Sequence, residues 1–90
     1  MKIICKDKVI DLSKFETVRY TESLLESDNY PVEAIRHEAS GGIFGGTTTV
    51  TEEIACFIHK EGAISLVKEI TNKWIAEEKS FDVEKWLNEP

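Results

Sequence analysis

Residues 32–60 read VEAIRHEASGGIFGGTTTVTEEIACFIHK, and the fold turns on how this stretch is read. Val32–Ala39 alternates, with Val32, Ala34, Arg36 and Glu38 directed to one side, the two-residue period of a β-strand. Val50–Lys60 carries Val50, Ile54, Cys56 and Ile58 on one face and Ala55 and Phe57 on the other. Apolar side chains on both faces predict a central, well-covered strand. A helix beginning at Glu52 would also group Ile54, Phe57 and Ile58, and is the competing reading.

Between the two strands lies a glycine-rich loop, residues 40–49. Gly41-Gly42 and Gly45-Gly46 bracket two large apolar residues, Ile43 and Phe44, at what reads as a hairpin tip. Glycine carries a high conformational entropy cost on ordering. Two uses are open to such a segment. It is a connector folded back on its own domain, or an apolar finger offered to a partner protein or a second copy of the chain. A phosphate cradle is disfavoured, because no Gly-Lys-Ser/Thr follows, the G-x-G-x-x-G spacing is missing and no lysine is near.

Upstream, Lys2–Cys5 and Lys8–Leu12 are short apolar runs separated by Lys6-Asp7, a two-residue turn without the glycine such turns favour. Phe15–Glu22 alternates and reads as a third strand, and Ser23–Tyr30 as a connection ending at Pro31. Downstream the period changes. Ala63, Ile64, Val67, Ile70, Trp74 and Ile75 form one helical stripe, predicting a helix over about 63–79. The alternative is a hairpin turning at Glu61-Gly62, with Ile64–Val67 as a strand. Ser80-Phe81-Asp82 opens a second helix over about 82–88. Asp82 is its cap, Phe81 and Trp86 stand at the positions of a hydrophobic staple, and Val83, Trp86 and Leu87 form its apolar side. The expectation is one α+β domain over residues 1–90, with strands in 2–60. Its mostly antiparallel sheet of four to five strands is covered by C-terminal helices.

Charge narrows the function classes. Seventeen acidic residues against eleven basic ones leave a net charge of −6. No third of the chain is basic: residues 1–31 hold five basic and six acidic groups, 32–60 two and four, and 61–90 four and seven. Binding to a nucleic-acid backbone or an anionic membrane surface is therefore disfavoured. Ile3-Ile4-Cys5 is too short for a signal-peptide core, and no stretch approaches the ~18 apolar residues of a membrane span. Two cysteines are too few for a disulfide scaffold, which points to a cytoplasmic protein. A Cys5–Cys56 bridge stays open if their strands are neighbours.

Cys5, His37, Cys56 and His59 are the metal-ligating types. On a strand, however, Cys56 and His59 point to opposite faces, and no C-x-x-C anchors a site. Nucleophilic catalysis by either thiol needs an electropositive, accessible pocket, whereas both cysteines sit in apolar runs. Glu52-Glu53 and Glu77-Glu78 are adjacent acids whose side chains diverge. No catalytic residue, metal or cofactor is assigned. The leading expectation is a small acidic, non-enzymatic protein-binding module of the inhibitor, immunity or accessory type. Its proposed contact is Gly41, Gly42, Ile43, Phe44, Gly45 and Gly46, with self-pairing as a homodimer one option. The rivals are a structural subunit of a larger assembly and a small Cys/His-dependent enzyme.

Overall fold

The structure, a computed structural model, describes residues 1–22, 29–39 and 45–89. It contains β1 (Lys2–Cys5), β2 (Lys8–Asp11), a 3-10 turn (Leu12–Lys14), β3 (Thr17–Tyr20), β4 (Tyr30–Ala39), β5 (Thr47–Phe57), α1 (Lys60–Ile75), β6 (Ser80–Asp82) and α2 (Val83–Asn88). The fold is mixed α and β. Instead of one sheet of four to five strands, the described residues build two sheets of three, in the orders β2-β1-β6 and β3-β4-β5.

The split has a local cause. After β2 the Asp11 carboxylate accepts hydrogen bonds from the Ser13 backbone N–H at 3.0 Å and its hydroxyl at 2.7 Å. This closes the 3-10 turn and buries Leu12 completely. The chain is thereby turned away before β3 can pair with β2. A short polar side chain bonding its own backbone two residues on is a recurrent turn device.

The first sheet joins both ends of the chain. β1 and β2 pair antiparallel, from Lys2 opposite Asp11 to Cys5 opposite Lys8. β6 then adds in parallel to β1, setting Ile3 beside Phe81. Three residues show no periodicity, which is why Ser80–Asp82 read as a helix start. The helix itself begins at Val83, where Asp82 accepts from the Lys85 N–H at 3.1 Å and the Phe81 and Trp86 rings stand 6.4 Å apart. That is the capped, stapled entry expected of this sequence. Leu87, by contrast, is exposed.

The second sheet is wholly antiparallel. β5 is its edge strand and not a central one. Its paired apolar residues come from a register irregularity. Val32 opposes Ala55 while the next residue, Glu33, opposes Glu53, so Ile54 is an extra residue on β5. A bulge of this kind puts two successive side chains on one side of the strand. Ile54 and Ala55 are accordingly both buried. Cys56, displaced by the bulge, is exposed.

One core lies between the sheets and α1. It gathers Ile3, Cys5, Ile10, Leu12, Val32, Ala34, Ile54, Ala55, Ala63, Leu66, Ile70, Phe81 and Val83. α1 buries Ala63, Leu66 and Ile70, a 3-and-4 spacing that continues to the half-buried Trp74. Leu66 and Ile70 each contribute roughly 1.5–3 kcal/mol through burial. Ile75, expected in this stripe, is 78% exposed at the end of the helix. α1 begins three residues before the expected 63 and stops well short of 79. Glu77 takes φ 58, its N–H bonds the Trp74 carbonyl, and the Glu78 N–H bonds the Lys73 carbonyl. This is a Schellman stop, with a glutamate where glycine is usual.

Candidate functional site

Four of the six predicted contact residues, Gly41, Gly42, Ile43 and Phe44, lie outside the described residues. Gly45 and Gly46 are exposed and take φ 62 and 125, backbone that L side chains rarely adopt. They lead into β5 from the chain segment that joins it to β4.

Below that segment the hairpin is an arm. β3 accompanies β4 only as far as Ile35, which faces Thr17. Four further cross-strand pairs continue alone: Arg36–Val50, His37–Thr49, Glu38–Thr48 and Ala39–Thr47. Residues 37–39 and 47–49 are exposed, so both faces of the ribbon meet solvent. The molecule measures 53 × 34 × 23 Å, long for a chain of 90 residues. A two-stranded ribbon without a third strand or a helix over it is only marginally stable by itself.

Side chains brace the β4 side of the arm. The Arg36 guanidinium lies over the Phe15 ring, 5.7 Å from its centroid, and pairs with Glu38 at 2.9 Å. Glu16 reaches alongside β4 and accepts from the His37 backbone N–H at 3.2 Å, while its second oxygen lies 2.9 Å from His37 Nδ1. Bonding to His37 holds the Glu16 carboxyl below its ordinary pKa. The base of β5 is tied by lysines of the β1–β2 hairpin: Lys6 pairs with Glu53, and Lys8 with Glu52 at 2.9 Å. The outer part of β5, Thr47–Thr51, has no such tie among the described residues.

Between the free edge of β2 and the base of the arm is an open concavity of about 470 Å³, lined by Lys8, Val9, Ile10, Lys14, Phe15 and Arg36 among others. Its acids are already engaged, Asp11 with Ser13 and Glu52 with Lys8. Bonds from Ser13 lower the Asp11 pKa.

The thiols and imidazoles do not converge. Cys56 stands opposite Pro31 and His37 opposite Thr49, so six residue steps along β4, about 20 Å of strand, separate them. Cys5 is fully buried, and burial pushes its thiol pKa up. Cys56, read from sequence as a buried strand residue, is instead exposed and free. His59 caps α1 by its backbone without a side-chain hydrogen bond. Among the described residues no three His, Cys, Asp or Glu side chains gather as metal ligands, and no helix is long and apolar enough to cross a membrane.

Sequence patterning signalled a hairpin here but not an arm. Its projection depends on where β3 ends, and the bracing role of Glu16 depends on a partner 21 residues away. No protein-family model, curated protein or solved structure matches this chain.

Proposed function

We propose that this chain is a non-enzymatic protein-binding module that meets its partner through the β4–β5 arm and the apolar pair Ile43-Phe44 in the segment joining those strands. One observation carries this reading. The hairpin continues for four cross-strand pairs beyond its sheet, exposed on both sides, and contributes little to the core. A chain gains little stability from such an extension, whereas recognition gains reach. Two bulky apolar residues between glycine pairs supply anchor groups of the kind that dominate binding energy. The acidic surface favours a basic partner by steering encounter. An unpaired, exposed Cys56 thiol suits a reducing compartment, and cytoplasmic action belongs to the same reading.

The test compares capture of binding partners by the wild-type chain and by an Ile43→Ser/Phe44→Ser variant, alongside their thermal unfolding. Loss of capture with an unchanged melting temperature is expected. Undiminished capture overturns the proposal, and so does a large fall in melting temperature, which would make the pair part of the core.

A further inference from the structure

The outer half of β5 is an edge without the usual defences. Natural edge strands discourage pairing with lysine, proline, a bulge or a covering element. Thr47-Thr48-Thr49-Val50-Thr51 has no charge and no proline. The register irregularity of this hairpin sits at its base, opposite Val32/Glu33, and no strand lies beyond β5 among the described residues. All five residues are β-branched, the class that best fits a pleated ladder.

The side-chain pattern of this stretch is self-complementary, which points to a second copy as the occupant. We infer that β5 pairs antiparallel with β5 of a second copy of this chain, about a two-fold axis through Thr49. Thr49 then faces itself, Thr48 faces Val50, and Thr47 faces Thr51, so β-branched residues oppose one another throughout. Glu52 falls opposite Gly46 and Glu53 opposite Gly45. Axes at Glu52 or Glu53 would set like charges face to face, which is destabilising. The product is a continuous six-stranded sheet in which each arm gains the third strand it lacks.

Five residues from each copy make a small contact, below the roughly 1,000 Å² of a stable interface, so the dimer is weak. Each copy carries −6, and salt therefore strengthens the association by screening their repulsion. This contact goes beyond the protein-binding reading. The Ile43→Ser/Phe44→Ser variant leaves it unchanged, and the two proposals fail separately.

Sedimentation equilibrium of the full chain, from about 10 μM to about 1 mM, tests it. A monomer–dimer equilibrium that tightens with salt is expected. Thr49→Lys, which puts an ammonium opposite its own copy, weakens it at least ~10-fold without changing thermal unfolding. In a Cys56→Ser background, Thr49→Cys cross-links between copies faster than Glu53→Cys. A chain that stays monomeric at every concentration and salt, a dimer indifferent to Thr49→Lys, or faster cross-linking at position 53 overturns the inference. A heterologous strand captured by a strictly monomeric chain does so as well.

Discussion

The Glu16 carboxylate occupies the place of the next strand residue beside His37. It accepts the His37 backbone N–H at 3.2 Å and meets the imidazole Nδ1 at 2.9 Å. β3 has no residue to offer there, since its ladder with β4 ends at Thr17–Ile35. A side chain thus finishes what the backbone does not, at the point where the three-stranded sheet becomes a two-stranded arm. Both groups are exposed, so the contact organises the arm more than it stabilises the whole fold.

Its pH dependence has a definite sign. The folded Glu16 pKa is lowered by bonding to His37, so its contribution is complete above the unfolded-state pKa and disappears as pH falls through the folded one. Glu16→Ala should melt below wild type near neutral pH, with the gap narrowing as pH falls below the ordinary carboxylate range. Hydrogen exchange at the His37 amide should accelerate in the variant near neutrality. An unchanged exchange rate would dissociate Glu16 from the arm.

Glu77 holds a left-handed conformation at the end of α1, at φ 58. A side chain there costs roughly 1–2 kcal/mol relative to glycine, and an acid at a helix C-terminus is additionally disfavoured. Glu77→Gly should therefore stabilise the protein by about 1 kcal/mol, read from chemical denaturation. Equal or lower stability would show that the Schellman geometry at 73–78 is not maintained in solution.

Gly62 lies inside the first turn of α1, where a Cβ would come within 2.6 Å of the Phe57 ring. Alanine is the better helix former by up to about 1 kcal/mol, but crowding a packed ring costs about 1–3 kcal/mol. Gly62→Ala should consequently lower stability by about 1 kcal/mol, and in a Phe57→Ala background the same change should raise it. A double-mutant cycle read by thermal unfolding decides the point.

The two cysteines should behave as opposites. Cys56 is exposed while Cys5 is fully buried with a raised pKa. Native protein should react with a thiol reagent at one equivalent rapidly, the second appearing only on unfolding. Cys56→Ser should abolish the fast phase. Two fast equivalents would contradict the burial of Cys5 on β1, and none would contradict the exposure of Cys56 on β5.

Much of the local order was legible because it depends on near neighbours. Asp82 caps α2 three residues away, Phe81 meets Trp86 across one turn, and the alternation of Val32, Ala34 and Arg36 announced β4. The stop of α1 was not, because its signal is normally a glycine and here a glutamate takes the strained conformation. Gly62 suggested a turn, yet it belongs to a helix that needs the bare backbone beneath the Phe57 ring. The neighbouring apolar pair Ile54-Ala55 suggested a central strand, and its cause was a bulge.

Composition and periodicity alone determined a single acidic α+β chain with a hairpin around the glycine-rich segment and helices in its C-terminal third. Only the tertiary structure decided that the strands divide into two sheets, that β6 closes against β1, and that β4 and β5 outrun β3 to make an arm. Hydrophobic periodicity is a property of a few consecutive residues. Which strand edges meet depends on turns, bulges and contacts between residues far apart in the chain, and those are energies of the assembled molecule.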